Sequence, residues 1–459
     1  MKQYDIIIAG AGASGVFMSY ELTKINNHAK ILMIDRGARL EDRICPIKSE
    51  KTRDCIKCRL CHIMNGYGGA GTFSDGKYNI TTLFGGELHR HVGVEKAIDL
   101  MEYVDQILCS LGGADAKLYS TGTSDLKTIA LRNNLHLLDA KVRHLGTDRN
   151  LHILGNIFDY TKDRIDTEFG VTLTDVDRLA DGTFVVYSSN GEEYQCKTLV
   201  LAAGRSGSKW IAGICDKMGI KQMSNRVDIG VRVELPAVIF KHITDDVYES
   251  KLVYKTDKYN DMVRTFCMNP FGEVVAENTN GIVTVNGHSY ANPDLRTENT
   301  NFALLVSNRF TEPFKDSNDY GESIAKLSNL LGGGVLLQRF GDLIKGRRSN
   351  ERRMEKCFTR PTLKATPGDL SLVIPKRQLD NIIEMIYALD KIAPGTANED
   401  TLLYGVEVKF YNSRVKVDEN LETKVQGLYI LGDGSGVTHS LSQASASGVH
   451  VARILAEKY

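Results

Sequence analysis

Tyr4-Asp5-Ile6-Ile7-Ile8-Ala9-Gly10-Ala11-Gly12-Ala13-Ser14-Gly15 decides the fold of this chain. The run Tyr4 to Ala9 reads as a short buried strand, and a helical pattern follows the glycines from Val16 to Ile25. A second apolar strand, Ile31 to Ile34, ends at Asp35, twenty residues after Gly15. Strand, glycine turn, helix, strand and acid in this register make a whole dinucleotide-binding unit, a stronger signal than the glycines alone. Gly10 permits the tight turn, Gly12 lets a pyrophosphate approach the backbone, and Gly15 lets helix and strand pack closely. The helix start offers unpaired N–H groups and the positive end of its dipole. Asp35 is placed to accept hydrogen bonds from a ribose.

Two further turns select the dinucleotide. Gly427 to Leu431 reads as a strand running into Gly432-Asp433-Gly434-Ser435-Gly436, with a helix from about Ser442 to Glu457. Another strand, Thr198 to Leu201, ends in Ala202-Ala203-Gly204-Arg205. Together the three turns resemble those of the two-dinucleotide-binding-domain flavoproteins of glutathione-reductase type. The resemblance implies FAD, with Asp433 on the ribityl hydroxyls and the next helix N-terminus facing the flavin O2 edge. No second strand–GxGxxG–helix unit is present for a stably bound nicotinamide. Gly332-Gly333-Gly334 follows a helical pattern and reads as a helix stop.

The 459 residues suffice for two or three packed regions. Hydrophobic residues at 42% and charged residues at 25% are ordinary for a globular protein. Zero net charge argues against a nucleic acid or an acidic membrane held by bulk charge. No apolar run reaches transmembrane length, and the N-terminal run lacks a signal peptide's basic start. Nine cysteines in such a chain point to a reducing, cytoplasmic setting.

The expected fold class is α/β. A discontinuous Rossmann-like FAD-binding domain takes residues 1–225 and 396–459, with a Cys-rich loop at 43–86, and a mixed α+β substrate domain is inserted at 226–395. Helical periodicity covers Glu95 to Leu111 and about Leu151 to Phe169. Asn190-Gly191 and Asn280-Gly281 mark hairpins. In the insertion, Asp228–Leu235, Lys251–Tyr254, Met262–Met268, Glu273–Ala276 and Ile282–Val285 alternate as strands. Leu379, Ile382, Ile383, Ile386 and Leu389 form one helical stripe, the signature of a core-facing helix.

Further stretches carry a narrower resemblance: Gly66-Tyr67-Gly68-Gly69-Ala70-Gly71-Thr72-Phe73-Ser74-Asp75-Gly76-Lys77, Phe266 to Pro270, Asn286 to Ser289, Asp400 to Glu407 and Gly432 to Gly448. They resemble the uncharacterised FAD-dependent dehydrogenases, which are more distantly similar to geranylgeranyl reductases. The resemblance implies redox chemistry on a small-molecule substrate. It implies cofactor contacts from Gly10, Gly12, Ala13, Ser14, Gly15, Asp35, Arg36, Gly69, Ala70, Gly71, Ala203, Gly204, Gly432, Asp433, Ser440, Leu441 and Ser442. One departure is Asp35, where glutamate is usual.

Cys55, Cys58 and Cys61 have two-residue gaps, and Cys45-Pro46 lies ten residues before Cys55. C-x2-C-x2-C with a remote Cys-Pro suits a [4Fe–4S] cluster. A four-thiolate zinc site or an unmetallated redox dithiol fits the same spacing. Cys267 stands alone in a strand of the insertion and most readily reads as a small buried residue.

A flavin carries its own hydride chemistry, so no catalytic triad is needed. His439, Lys77 and Arg143-His144 are candidates for moving a proton, and none is assigned. Lys345, Arg347, Arg348, Arg352 and Arg353 read as a solvated basic face or as a seat for an anion such as an NADPH phosphate. The function expected is an FAD-dependent dehydrogenase or reductase, with the flavin meeting its substrate at the inserted domain. NAD(P)H or a small redox protein would supply electrons, and the cysteine site would feed or shape the flavin site. A redox sensor or electron-transfer protein, and a flavin-dependent RNA-modifying enzyme, are the alternatives.

Overall fold

The computed structural model describes every residue except 26, 27, 47, 48, 50, 52–55, 57, 123, 280, 291, 312 and 315. The chain forms two units. The first is Met1–Leu118, Arg143–Asn225 and Asn412–Tyr459; the second is Tyr119–Val142 and Arg226–Tyr411.

In the first unit, the apolar strand Lys2–Ala9 lies inside a seven-stranded sheet, which is why it needs no polar face. Ile31–Asp35 pairs with it in parallel on one side and Glu193–Leu201 on the other. Ile6 and Ile8 enter one hydrophobic core, Ile7 and Ala9 the other. The expected hairpin arm and the expected Ala-x-Gly strand are one element, Glu193–Leu201. Its first half pairs antiparallel with Phe184–Ser188, and its second half pairs in parallel with Leu428–Ile430. The helix expected to reach Phe169 is Thr147–Thr161. The Thr161 hydroxyl bonds back to the carbonyls of Ile157 and Phe158 at its end, and Asp166–Phe169 becomes an edge strand beside Ile31–Asp35. Helix Ala13–Lys24, which opens from the glycine turn, packs on helix Leu441–Ala456.

The second unit holds an eight-stranded sheet. Its order is Thr366–Pro367, Leu336–Arg339, Leu402–Phe410, Val227–Pro236, Asn299–Asn308, Met262–Asn269, Leu252–Lys255, Leu135–Leu137. This corrects the expected boundary at 395. Leu402–Phe410 is a central strand, antiparallel to Val227–Pro236, so the unit runs on to Tyr411. Residues 119–142 also belong here, because Leu135–Leu137 extends the sheet at Leu252–Lys255. Along Val227–Pro236 the odd positions, Val227, Ile229, Val231, Val233 and Leu235, meet Leu379, Ile382, Ile386 and Leu389 of helix Lys376–Asp390 in one core. The even positions Asp228, Arg232 and Glu234 face the other way and are fully buried. Helix Ser317–Gly332 stops at Gly333 in the left-handed conformation, as expected of the triple glycine. The Asn280-Gly281 turn involves a residue outside those described. Among the described residues no helix is long and apolar enough to cross a membrane.

Candidate functional site

The first unit brings the three turns together. A Cβ on Gly10 would sit 2.4 Å from the Ala202 oxygen, so the first and second turns touch backbone to backbone. Gly432 lies against Ser14, where a Cβ would be 2.7 Å from Oγ. Gly434 lies against Gly204, where a Cβ would be 3.0 Å from the carbonyl oxygen. The loop of Gly69, Ala70 and Gly71 joins them. Gly68 donates its N–H to the Ala11 carbonyl at 2.7 Å, Gly69 lies against the Gly12 Cα, and Gly71 lies against the Leu441 side chain.

Within the first turn Gly12 differs from Gly10 and Gly15. A Cβ there would meet nothing nearer than the Ala202 oxygen at 4.0 Å, whereas one on Gly15 would collide with the Gly10 oxygen at 2.1 Å. Gly12 is also the N-cap of helix Ala13–Lys24, so the first N–H groups of that helix open there. The buried hydroxyls of Ser14 and Ser442 have no hydrogen-bond partner. Space for a ligand at a helix N-terminus, beside a glycine and unsatisfied hydroxyls, suits a phosphate-bearing cofactor.

Asp35 braces the turn. Its Oδ2 accepts from the Ala11 N–H at 2.9 Å and its Oδ1 from the Gly37 N–H at 2.7 Å. A carboxylate has about four acceptor positions, so two remain for ribose hydroxyls. The neighbouring Arg36 is turned to the Asn65 side chain, with Nη2 2.8 Å from Oδ1. Asp433 is clamped from two sides: Arg205 Nε donates to it at 3.1 Å, and His439 Nδ1 contacts its Oδ1. Burial alone would raise the Asp433 carboxyl, but the positive charge of Arg205 and the His439 contact outweigh it and hold it below the usual carboxylate range. Ser440 caps helix Leu441–Ala456 at φ 67 and ψ 159, a conformation rare outside glycine.

Sequence reasoning missed Arg43. Its buried guanidinium reaches the carbonyls of His62, Ile63, Tyr67 and Gly69 and the Thr72 hydroxyl. It thus fixes the glycine loop from behind. A lone arginine in an irregular stretch gives no periodic signal of burial. Gln443 was also missed; its side chain takes up the Thr81 and Phe84 carbonyls and the Leu88 N–H, tying that loop to the last helix.

Other expected residues lie elsewhere or have other work. Arg143 is bound to Asp105 and the Ala116 carbonyl, which makes it a packing residue. Lys77 is buried in an ion pair with Asp75 at 2.8 Å. In the second unit, Lys345, Arg347, Arg348 and Arg352 are exposed, as a solvated basic face would be, while Arg347 and Arg353 also reach the buried Asp342, at 2.8 and 3.7 Å. Of the four clustered cysteines, Cys45, Cys58 and Cys61 are partly buried and Cys55 lies outside the described residues. Among the described residues no group of three or more His, Cys, Asp or Glu is placed to hold a metal.

Residues 227–410, nearly the whole main segment of the second unit, match the family described as "FAD-dependent protein, C-terminal domain-like". The chain is 26% identical over 475 aligned positions to an uncharacterized protein of Clostridium beijerinckii, covering 99% of this chain and 81% of that one. Among solved structures it is similar to a glycine oxidase from Geobacillus kaustophilus, at TM-score 0.43 and 10% identity over 100% of this chain and 95% of that one. It is likewise similar to an L-alpha-glycerophosphate oxidase from Mycoplasma pneumoniae, at TM-score 0.44 and 10% identity over 100% and 96%.

Proposed function

We propose that this chain is an FAD-dependent oxidoreductase acting on a small molecule, its first unit being the FAD domain of a two-domain flavoprotein. The observation that carries this reading is the open space at Gly12, flanked by the unpartnered Ser14 hydroxyl at the start of helix Ala13–Lys24. The family matched by residues 227–410 carries FAD in its description and supports the same cofactor.

The N–H groups at Gly12 to Ser14 would hold the diphosphate, Asp35 the ribose, and Asp433 with Ser442 the ribityl chain. Bound FAD would supply the hydride acceptor or donor. The protein's part is positional. Arg43 and Gln443 hold the two loops that line the cradle. Asp433, as an anion, takes a contact from His439 Nδ1, which orients the ring beside it. Electrons would be exchanged with a nicotinamide or a small redox protein.

The test is purification followed by denaturation. The protein should be yellow and release FAD and no FMN. Gly12→Val should contain no flavin and melt as the flavin-free parent does, because the added atoms enter space that the protein leaves empty. A colourless protein that takes up no added FAD would overturn the reading.

A further inference from the structure

In the second unit, the sheet face turned away from the core of Val227 and Leu379 carries buried charged side chains beside an apolar cluster that includes Leu402 and Tyr404. Arg232, 0% exposed, sends Nε and Nη2 to the two oxygens of Glu407 at 2.8 and 2.9 Å. Its Nη1 donates to the Cys267 carbonyl at 2.8 Å and to Asn301 Oδ1 at 3.1 Å, and Nη2 also to Asn286 Oδ1 at 2.9 Å. Beside it three more cations surround the Phe266 ring. Lys251 Nζ is 3.7 Å from the ring centroid, Lys409 Nζ 5.2 Å and Arg264 Cζ 5.4 Å.

Some of the carboxylates here are shared between cations. Lys251 has Glu249 at 2.5 Å. Arg264 has Asp228, which also faces Arg226 at 3.9 Å. Among the described residues, Lys409 makes a 3.5 Å contact with Glu407, which Arg232 already grips with both nitrogens. Arg232 and Lys409 thus meet on Glu407, and Arg264 and Arg226 on Asp228. Glu234 and Glu277 are engaged by neutral groups, the first by Asn299, Thr362 and Tyr404 and the second by Asn286. The Arg264 Nε is buried without a hydrogen-bond partner. A carboxylate shared between cations and an unmet donor in a largely buried setting are costly unless something else supplies negative charge. Burial also pulls the Lys251 amine below its ordinary range despite Glu249.

The face remains reachable. The Arg264 and Lys409 side chains keep 15% and 16% exposure, and Phe266 is partly exposed. We propose that Arg264 and Lys409 bind the anionic group of a small molecule, a carboxylate or a phosphate, beside the Phe266 ring. As the substrate site of a flavoenzyme this face depends on the function proposed above; as an anion site it stands without it.

Thermal melting of the full chain, titrated with succinate or inorganic phosphate against chloride of equal ionic strength, tests the site. At least one probe should raise the melting temperature saturably; a response to succinate alone assigns a carboxylate, and to phosphate alone a phosphate ester. Lys409→Gln should weaken that response about tenfold or more, the usual effect of losing one charged hydrogen bond. Arg264→Lys, which keeps a charge for Asp228 but loses the guanidinium, should weaken it too. Lys258→Gln, at an exposed pair with Asp380, should not. Without added anion, Lys409→Gln should melt no lower than the parent, since it removes a charge that shares its carboxylate. No saturable response to either probe, an undiminished response in Lys409→Gln, or a much lower anion-free melting point in that variant would each overturn the proposal. FAD content measured on the same samples separates the two readings: a flavin-free protein that still answers to anion keeps the site and loses the flavin.

Discussion

Gly448 and Ser14 approach so closely that a single Cβ on the glycine would lie 2.1 Å from the serine's carbonyl oxygen. The contact joins helix Leu441–Ala456 to helix Ala13–Lys24 at the turn where the cradle opens. Both sides are backbone, so neither can yield by changing rotamer.

Substitution here should therefore separate folding from cofactor capture. Gly448→Ala and Gly15→Ala should each destabilise the protein by about 3 kcal/mol or more, the upper range for forcing atoms into a packed core. Denaturant melts of the flavin-free protein check this. A loss under 1 kcal/mol in both would mean that the two helices part easily.

The buried pair in the second unit gives an independent test. Arg232→Met leaves Glu407 charged, buried and without its main partner. It should cost about 3–5 kcal/mol, the penalty typical of breaking a buried ion pair from one side. The double change Arg232→Met with Glu407→Leu should recover a large part of that loss. A double variant no more stable than the single one would show that the neighbours Asn286 and Asn301 matter more than the charge.

Acid should act through Asp433. Its folded-state carboxyl is held below the unfolded value by Arg205 and His439, against the opposing effect of burial. As pH falls below the ordinary carboxylate range the unfolded chain takes up the proton first, so stability present above that range is lost. Asp433→Asn should show a flatter loss between pH 5 and pH 3 in urea melts at matched salt. Parallel acid limbs for parent and variant would remove Asp433 from the acid response.

The glycine turn was legible because three glycines, two strands and an acid stand in one register, and each has a fixed geometric task. Asp433 was found by its place after the strand, but its clamp by Arg205 joins residues from two separate turns and no local pattern announces it. Asp166–Phe169 was read as helix because it has no apolar run; an edge strand needs few buried side chains. Leu402–Phe410 carries a strand-like pattern, yet nothing local says which sheet it joins. Its pairing with Val227–Pro236 is a long-range fact, and it moved the domain boundary. The buried charges of the second sheet were hidden for a related reason: Asp228, Arg232 and Glu234 alternate with apolar residues as a solvent-facing row would, and only the structure shows them buried.

The strand Leu428–Ile430 enters the first sheet beside Leu199–Leu201, more than two hundred residues after that partner was made. A ribosome-bound chain would therefore carry the cradle without its last turn through most of its synthesis, and the residues proposed for the ribityl chain would emerge last. Long-range pairing of this kind is slow to form. Supply of the cofactor to newly made chains would then govern how many complete the fold, and starvation for it would show first as lost protein, before lost turnover.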